Sequence, residues 1–334
     1  MRVAVLGGGS WGTALAKLLS ESDHQTTMWV HNPEVCRTIS EKRENTVYLP
    51  GFPLPASLAI TNSLGEALQG TELALYVSPS HVAREILTQA RPLMPAGVPV
   101  VSASKGVEEG SLRRMSEVIA DALGHPDLAR VASLSGPSFA REVAGRMPTA
   151  VTAAAVQREL AELVQKVFSA PTFRVYTSTD LVGVELGGCV KNVIAIAAGV
   201  SDGLGFGSST RAALVTRGVA ELSRLVSKMG GDPRTVAGLS GVGDLVLTCT
   251  GDLSRNRTVG LRLGKGEKLA DILSDMRMVA EGVKNSRTIC ALAARAGVEM
   301  PIAEQINLLL NEDKPARQVV GDLMSRRAKP EIWS

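Results

Sequence analysis

Lys191 and Asn192 lie within the run Cys189-Val190-Lys191-Asn192-Val193-Ile194-Ala195-Ile196. A cation and an amide inside so apolar a helix are costly unless they face a site. Burial lowers a lysine's pKa and brings proton transfer within reach near neutral pH; the plainer reading is a lysine snorkelling from the core margin. Further on, Gly241-Val242-Gly243-Asp244-Leu245-Val246-Leu247-Thr248 sets Asp244 and Thr248 at i and i+4, one helix face on which they can share a polar network. A structural N-cap is the alternative for Asp244. Ser254-Arg255-Asn256-Arg257-Thr258 occupies a break before a helix, where an arginine beside helix N–H groups suits phosphate capture. Met278-Val279-Ala280-Glu281-Gly282 sets one carboxylate in an apolar turn. A surface arginine and a solvated glutamate are the bland versions of these two.

The first half adds three groups. Gly7-Gly8-Gly9-Ser10-Trp11-Gly12 fits G-x-G-x-x-G at Gly7, Gly9 and Gly12, after a predicted strand and at the opening of a predicted helix. In that context the first glycine allows the tight turn, the second lets the backbone approach a pyrophosphate, and the third lets helix pack on strand. Lys105, in Ser104-Lys105-Gly106-Val107-Glu108, lies just past the end of another strand, where open α/β sheets bind ligands. Ser135-Gly136-Pro137-Ser138 makes a rigid turn at the same sheet edge, with Ser138 alternatively a helix cap. A dinucleotide loop, two lysines, an Asp/Thr pair and an arginine together describe an anionic hydroxy substrate handled with a proton relay.

The elements that must position these groups follow from periodicity. Strands are expected at 2–6, 25–30, 72–77, 98–102 and 129–134, alternating with helices at 12–20, 34–43, 81–91 and 112–123. This rhythm predicts a parallel-rich sheet covered on both faces. Residues 48–58 hold three prolines and a glycine and read as an excursion. A further unit follows at 149–153, 158–168 and 172–176. After about Thr177 apolar spacing turns helical and strand candidates almost vanish. The expected fold is an α/β Rossmann-type domain over residues 1–178 and an all-α domain over 179–334, and 334 residues suit two cores.

The second strand ends Trp29-Val30-His31-Asn32, with Arg37 nearby. An NAD-preferring site usually carries an acid there; its absence makes NADP acceptable, with His31 either greeting a 2′-phosphate or standing as a surface histidine. Net charge is +3 and aromatics are 3%, which exclude a nucleic-acid surface of stacked bases. Four scattered cysteines show no metal or disulfide spacing. The first apolar run is too short for a signal peptide, and the longest, near 193–200, falls below the ~20 residues that span a bilayer. A cytoplasmic protein without a membrane span is expected, and a homodimer is left open.

At these residues the chain resembles the bacterial-type NAD(P)-dependent sn-glycerol-3-phosphate dehydrogenase family. The resemblance runs nearly end to end, on GGGSWG at 7–12, SKGVE at 104–108, SGPSFARE at 135–142, VKNVIAIAAG at 190–199, GVGDLVLTCTG at 241–251, SRNRTVG at 254–260 and VAEGV at 279–283. It implies a Rossmann-type domain and a helical domain with the site between them. It implies reduction of dihydroxyacetone phosphate to sn-glycerol 3-phosphate by NADPH or NADH, feeding phospholipid synthesis. By resemblance Lys191 is the general acid/base, Lys105 touches substrate and cofactor, and Asn192, Asp244 and Thr248 surround the base. Arg255 and Asn256, beside Ser254, match the phosphate-binding residues. Ser10, Trp11, His31, Ala140, Arg255, Val279 and Glu281 match cofactor positions, and Gly136 and Ser138 substrate positions. Two rivals remain: another two-domain hydroxy-acid dehydrogenase of the 6-phosphogluconate or ketopantoate type, and a catalytically silent dinucleotide sensor, which has no need of Lys191.

Overall fold

The computed structural model describes residues 1–125, 127–276, 280–328 and 330–331. Eight strands form one sheet: β1 (Arg2–Leu6), β2 (Gln25–Trp29), β3 (Ala59–Thr61), β4 (Leu73–Tyr76), β5 (Val100–Ser102), β6 (Val131–Ser135), β7 (Thr149–Ala155) and β8 (Phe173–Ser178), in the order β3-β2-β1-β4-β5-β6-β7-β8. Helices α1 (Ser10–Glu21), α2 (Pro33–Lys42), α3 (Leu64–Leu68), α4 (Ala83–Ala90), α5 (Met115–Leu123), α6 (Ala140–Ala144) and α7 (Arg158–Phe168) connect them. The period of two splits each central strand between two cores. β1 sends Val3 and Val5 to one face and Ala4 and Leu6 to the other; β4 does the same with Leu73 and Leu75 against Ala74 and Tyr76.

Every ladder is parallel except β6–β7. Only residues 136–148 join those two strands, and α6 within them is five residues long. A helix of five residues, ~7.5 Å long, cannot carry the chain back along a five-residue strand of ~16 Å, and the chain comes back antiparallel. β3 and α3 were not marked by periodicity, because an edge strand of three residues and a helix of five are shorter than the patterns that reveal them. The helix expected from residue 112 starts at Met115, since Leu112 takes φ +54° and cannot join it.

The remaining helices are α8 (Leu181–Gly203), α9 (Ser208–Lys228), α10 (Asp244–Thr250), α11 (Arg255–Gly264), α12 (Leu269–Asp275), α13 (Glu281–Ala296), α14 (Pro301–Asn311) and α15 (Ala316–Met324), and no strand occurs after Ser178 among the described residues. Asp180 caps α8 by accepting from the Gly183 N–H at 2.9 Å. The apolar run that reads as short in the sequence belongs to a helix of 23 residues, long and apolar enough by composition to cross a membrane. Its apolar window is 89% buried in the protein, which makes it the central helix of a bundle that is hydrophobic all round. α11 lies directly on it: a Cβ at Gly199 would come within 2.1 Å of the Arg257 carbonyl oxygen, and one at Gly260 within 2.0 Å of that of Ile196. Asp202, near the end of α8, then receives both Arg211 of α9 and Arg257 of α11, at 2.9 and 2.8 Å, and ties those helices to it.

Candidate active site

The glycine loop leaves β1 with Gly7 at φ +143°, a conformation that disfavours side chains. A Cβ at Gly12 would lie 1.9 Å from the Gly7 carbonyl oxygen, so this glycine is what lets α1 pack on β1. Nothing lies within 4 Å of a Cβ built on Gly9, and no side chain caps the α1 N-terminus there. The start of α1 thus opens on free space at Gly9, a cradle whose uncapped first-turn N–H groups fit the pyrophosphate of a dinucleotide. Asn45, fully buried, holds the loop by donating to the Gly8 carbonyl at 2.9 Å and to the Thr13 hydroxyl oxygen at 2.8 Å. The excursion at 48–58 begins beside this tie. His31 is exposed, with its ring edge-on to Trp29 at 5.6 Å, and Asn32 caps α2 by accepting from Glu34 and Val35. Ala140 starts α6 and Glu281 starts α13. Val279 lies outside the described residues.

Three strongly charged groups meet where the sheet edge touches the bundle. Lys191 Nζ, on α8, donates to Asp244 Oδ1 at 2.5 Å and to Thr248 Oγ1 at 2.8 Å, both on α10. Lys105 Nζ, from the loop after β5, donates to Asp244 Oδ2 at 2.6 Å and reaches the Gly136 carbonyl at 3.4 Å. Asp244 is 1% exposed and Lys191 8%. Burial drives the Lys191 pKa down from the ordinary 10.5 to about 8; the Asp244 carboxylate opposes this and the Lys105 ammonium adds to it. Two neighbouring glycines of α8 make the approach: a Cβ at Gly187 would sit 2.3 Å from the Ser240 carbonyl, and one at Gly188 3.3 Å from Lys105 Cγ. A π-helical turn, Leu239–Gly243, delivers Asp244 from that contact.

An amide chain runs beside the lysines. Asn256 Nδ2 donates to Asn192 Oδ1 at 2.9 Å, and Asn256 Oδ1 accepts from the Gly282 N–H at 3.0 Å. Ser254 caps α11 by accepting from the Arg257 N–H at 3.2 Å, which puts Arg255 at the first helical position with an exposed side chain. Burial raises the Glu281 carboxyl, and Arg255, Lys105 and Lys191 together pull it back, so all four charges share one field. Ser138 Oγ donates to the Gly136 carbonyl at 3.1 Å. Cys249 is pushed up to about 12 by burial, so its thiol is no nucleophile here.

The structure thus gathers Lys105, Lys191, Asp244 and Thr248 by direct contact, and Asn192, Asn256 and Glu281 around them. His31 stays apart, at the end of β2. Sequence reasoning missed Asn45, Asn285, whose Nδ2 donates to the Lys105 carbonyl at 3.3 Å, and Glu185, which accepts from the Ser116 N–H at 2.7 Å across from α8 to the start of α5. One signal was readable: two glycines in mid-helix, Gly187-Gly188, cost helix stability unless something approaches closely.

The chain matches the family models described as NAD-dependent glycerol-3-phosphate dehydrogenase N-terminus, over residues 2–161, and C-terminus, over residues 180–321. It is 56% identical over 330 residues to a glycerol-3-phosphate dehydrogenase (NAD(P)+) of Geobacter metallireducens, covering 99% of this chain and 98% of that one. The Geobacter sulfurreducens protein of the same name is 56% identical over 333 residues, covering 99% of both. The crystal structure of glycerol-3-phosphate dehydrogenase from Coxiella burnetii superimposes with a TM-score of 0.93 at 40% identity, over 97% of this chain and 99% of that one. With identity at this level along its whole length, the chain belongs to the NAD-dependent glycerol-3-phosphate dehydrogenase family.

Proposed function

We infer that the chain interconverts dihydroxyacetone phosphate and sn-glycerol 3-phosphate with NADPH or NADH, supplying glycerol 3-phosphate for glycerophospholipid synthesis. The observation that carries the chemistry is the buried Lys191, with its pKa near 8 and its Nζ fixed by Asp244 and Thr248. A nicotinamide coenzyme, when bound, supplies the hydride. The loop at Gly7, Gly9, Ser10, Trp11 and Gly12 would hold its pyrophosphate, with His31, Ala140, Val279 and Glu281 as further contacts.

In reduction, Lys191 gives a proton to the carbonyl oxygen as negative charge develops there; in oxidation, neutral Lys191 takes it back. An ammonium has three hydrogens, and Asp244 and Thr248 engage two, leaving one for the substrate oxygen. Asp244 keeps Lys191 charged below pH 8 while its second oxygen holds Lys105. Lys105 adds positive charge where the oxyanion forms. Arg255 and the N–H groups at the start of α11 receive the phosphate, with Ser254, Asn256 and Asn192 fixing that helix end. Gly136 and Ser138 line the substrate side. On this reading residues 1–178 carry the coenzyme and 179–334 the acid/base and phosphate groups.

The reading extends to a cytoplasmic enzyme, supported by four free cysteines, with a homodimer as the assembly for sedimentation to measure. NAD(P)H oxidation with dihydroxyacetone phosphate, set beside ketopantoate and beside NADP+ reduction with 6-phosphogluconate, tests the substrate. Preferential turnover of the triose phosphate is expected. Preference for either other substrate, or NADPH binding without turnover, contradicts the reading.

A further inference from the structure

Glu185 lies on α8, six residues before Lys191, and its carboxylate reaches out of the helical half of the chain into the sheet half. Oε1 accepts from the Ser116 N–H at 2.7 Å; Oε2 accepts from the Ser116 hydroxyl at 2.6 Å and from Arg114 Nη1 at 2.7 Å. The two charged side chains are 6% and 8% exposed. Arg114 occupies the N-cap position of α5, where its own N–H donates to Glu117 Oε2 at 2.8 Å and its guanidinium pairs with the same carboxylate at 3.1 Å. Burial raises the Glu185 carboxyl, and Arg114 and Ser116 offset that. Buried ion pairs of this kind are often no more stabilising than well-packed apolar residues, so stability alone is a weak account of the group.

What the pair anchors is the loop between β5 and α5, and that loop carries Lys105. Its backbone is held by the helical half again at Lys105, through Asn285, and at Ser111 and Leu112, through Arg295 at 3.1 and 3.0 Å. The stem of Lys105 rests on Gly188, between Glu185 and Lys191 on the same helix. We propose that Glu185 is a positioning residue: by holding Arg114 and Ser116 at the start of α5, it keeps the Lys105 loop seated on α8 and the Lys105 ammonium beside the Asp244–Lys191 pair. The proposal rests on Lys191 being the proton donor.

The groups that face Lys191 are Asp244 and Cys249 on α10, Lys105 on the loop, and Glu281 at the start of α13, itself paired in charge with Arg255. Loosening the loop withdraws Lys105. That removes a like charge from Lys191 and leaves Asp244 to it alone. Both changes favour the protonated lysine, so the alkaline limb of the reduction moves to higher pH.

The test uses Glu185→Gln and Arg114→Met, which change charge in opposite senses, with Ser116→Ala as a milder neutral variant should either of them fold poorly. The pH dependence of dihydroxyacetone phosphate reduction and the thermal midpoint are measured for each. The proposal expects a kcat loss of roughly tenfold or more at pH 7. It expects the alkaline limb to rise by about half a unit or more in both charge variants, and in the same direction, by less, in Ser116→Ala. Limb shifts of opposite sign would mean that only the field of each charge is felt, and would overturn it. Lower thermal midpoints with unmoved limbs would overturn it too, as a purely structural tie. Failure of the site reading is separable: a Lys191→Ala enzyme that keeps turning over removes the acid itself, whereas an inactive Lys191→Ala with wild-type limbs in the clamp variants removes only the clamp.

Discussion

Replacing Asp244 with Asn keeps the shape of the buried side chain and deletes its charge. Asp244 Oδ1 is 2.5 Å from Lys191 Nζ, and at an effective dielectric of about 20 the gross attraction is roughly 7 kcal/mol. Lys105 shares that carboxylate at 2.6 Å. If only about a fifth of the attraction survives as a difference between protonation states, it is worth about one pKa unit. The Lys191 pKa, about 8 in the intact cluster, then falls to ~7 or below. The sign follows from the charge lost: removing an anion disfavours the ammonium, so the protonated donor is present over a narrower range and is lost at lower pH. At pH 8 the donor fraction drops from about a half to about a tenth, a loss of ~5-fold in reduction beyond any pH-independent effect. The assay is kcat/KM for dihydroxyacetone phosphate from pH 6 to 10 at saturating NADPH, which reports groups of the enzyme before the varied substrate binds. An alkaline limb that stays in place, or moves up, would refute the coupling of Asp244 to the proton donor.

Arg255→Ala removes a charge-assisted phosphate contact of about 1.5–3 kcal/mol, so KM for dihydroxyacetone phosphate rises roughly 10- to 150-fold; an unchanged KM makes Arg255 a surface residue only. Glu221, 2% exposed, accepts from the Ile302 N–H at 2.8 Å and the Ala303 N–H at 3.4 Å at the start of α14, and burial raises its pKa to about 7. Because the folded-state pKa lies above the ordinary 4.5, its contribution to stability is full below about pH 4.5 and is lost as pH rises to about 7. Glu221→Gln retains an acceptor without the titration, so urea unfolding at pH 5 and pH 8 differs by up to about 3 kcal/mol less than in the parent; equal pH dependence speaks against this.

How much of this was legible differs by element. The motif at Gly7–Gly12 was readable because its spacing, the strand before it and the helix after it are all local. Lys191-Asn192 stood out because polar residues inside an apolar helix conflict with burial, and the structure places both against polar partners from distant segments. The partners themselves were not readable in the same way. Asp244 lies 53 residues from Lys191 and 139 from Lys105, and nothing in periodicity pairs them. The orientation of β7 depended on how short a helix, α6, lies between it and β6. β3 depended on pairing with β2 at the sheet edge, not on its own three residues. Asn45 and Glu185 look like ordinary surface polar residues until the fold buries them against the glycine loop and the start of α5.

The claim on which the rest depends is that Lys191 moves the proton. The direct measurement is single-turnover reduction of dihydroxyacetone phosphate by Lys191→Ala, with NADPH binding followed by fluorescence and the fold by circular dichroism. The account predicts an intact fold, near-normal NADPH affinity and a chemical step slower by about 10²–10⁴-fold. A chemical step close to the wild-type rate in that folded, NADPH-loaded variant would contradict it.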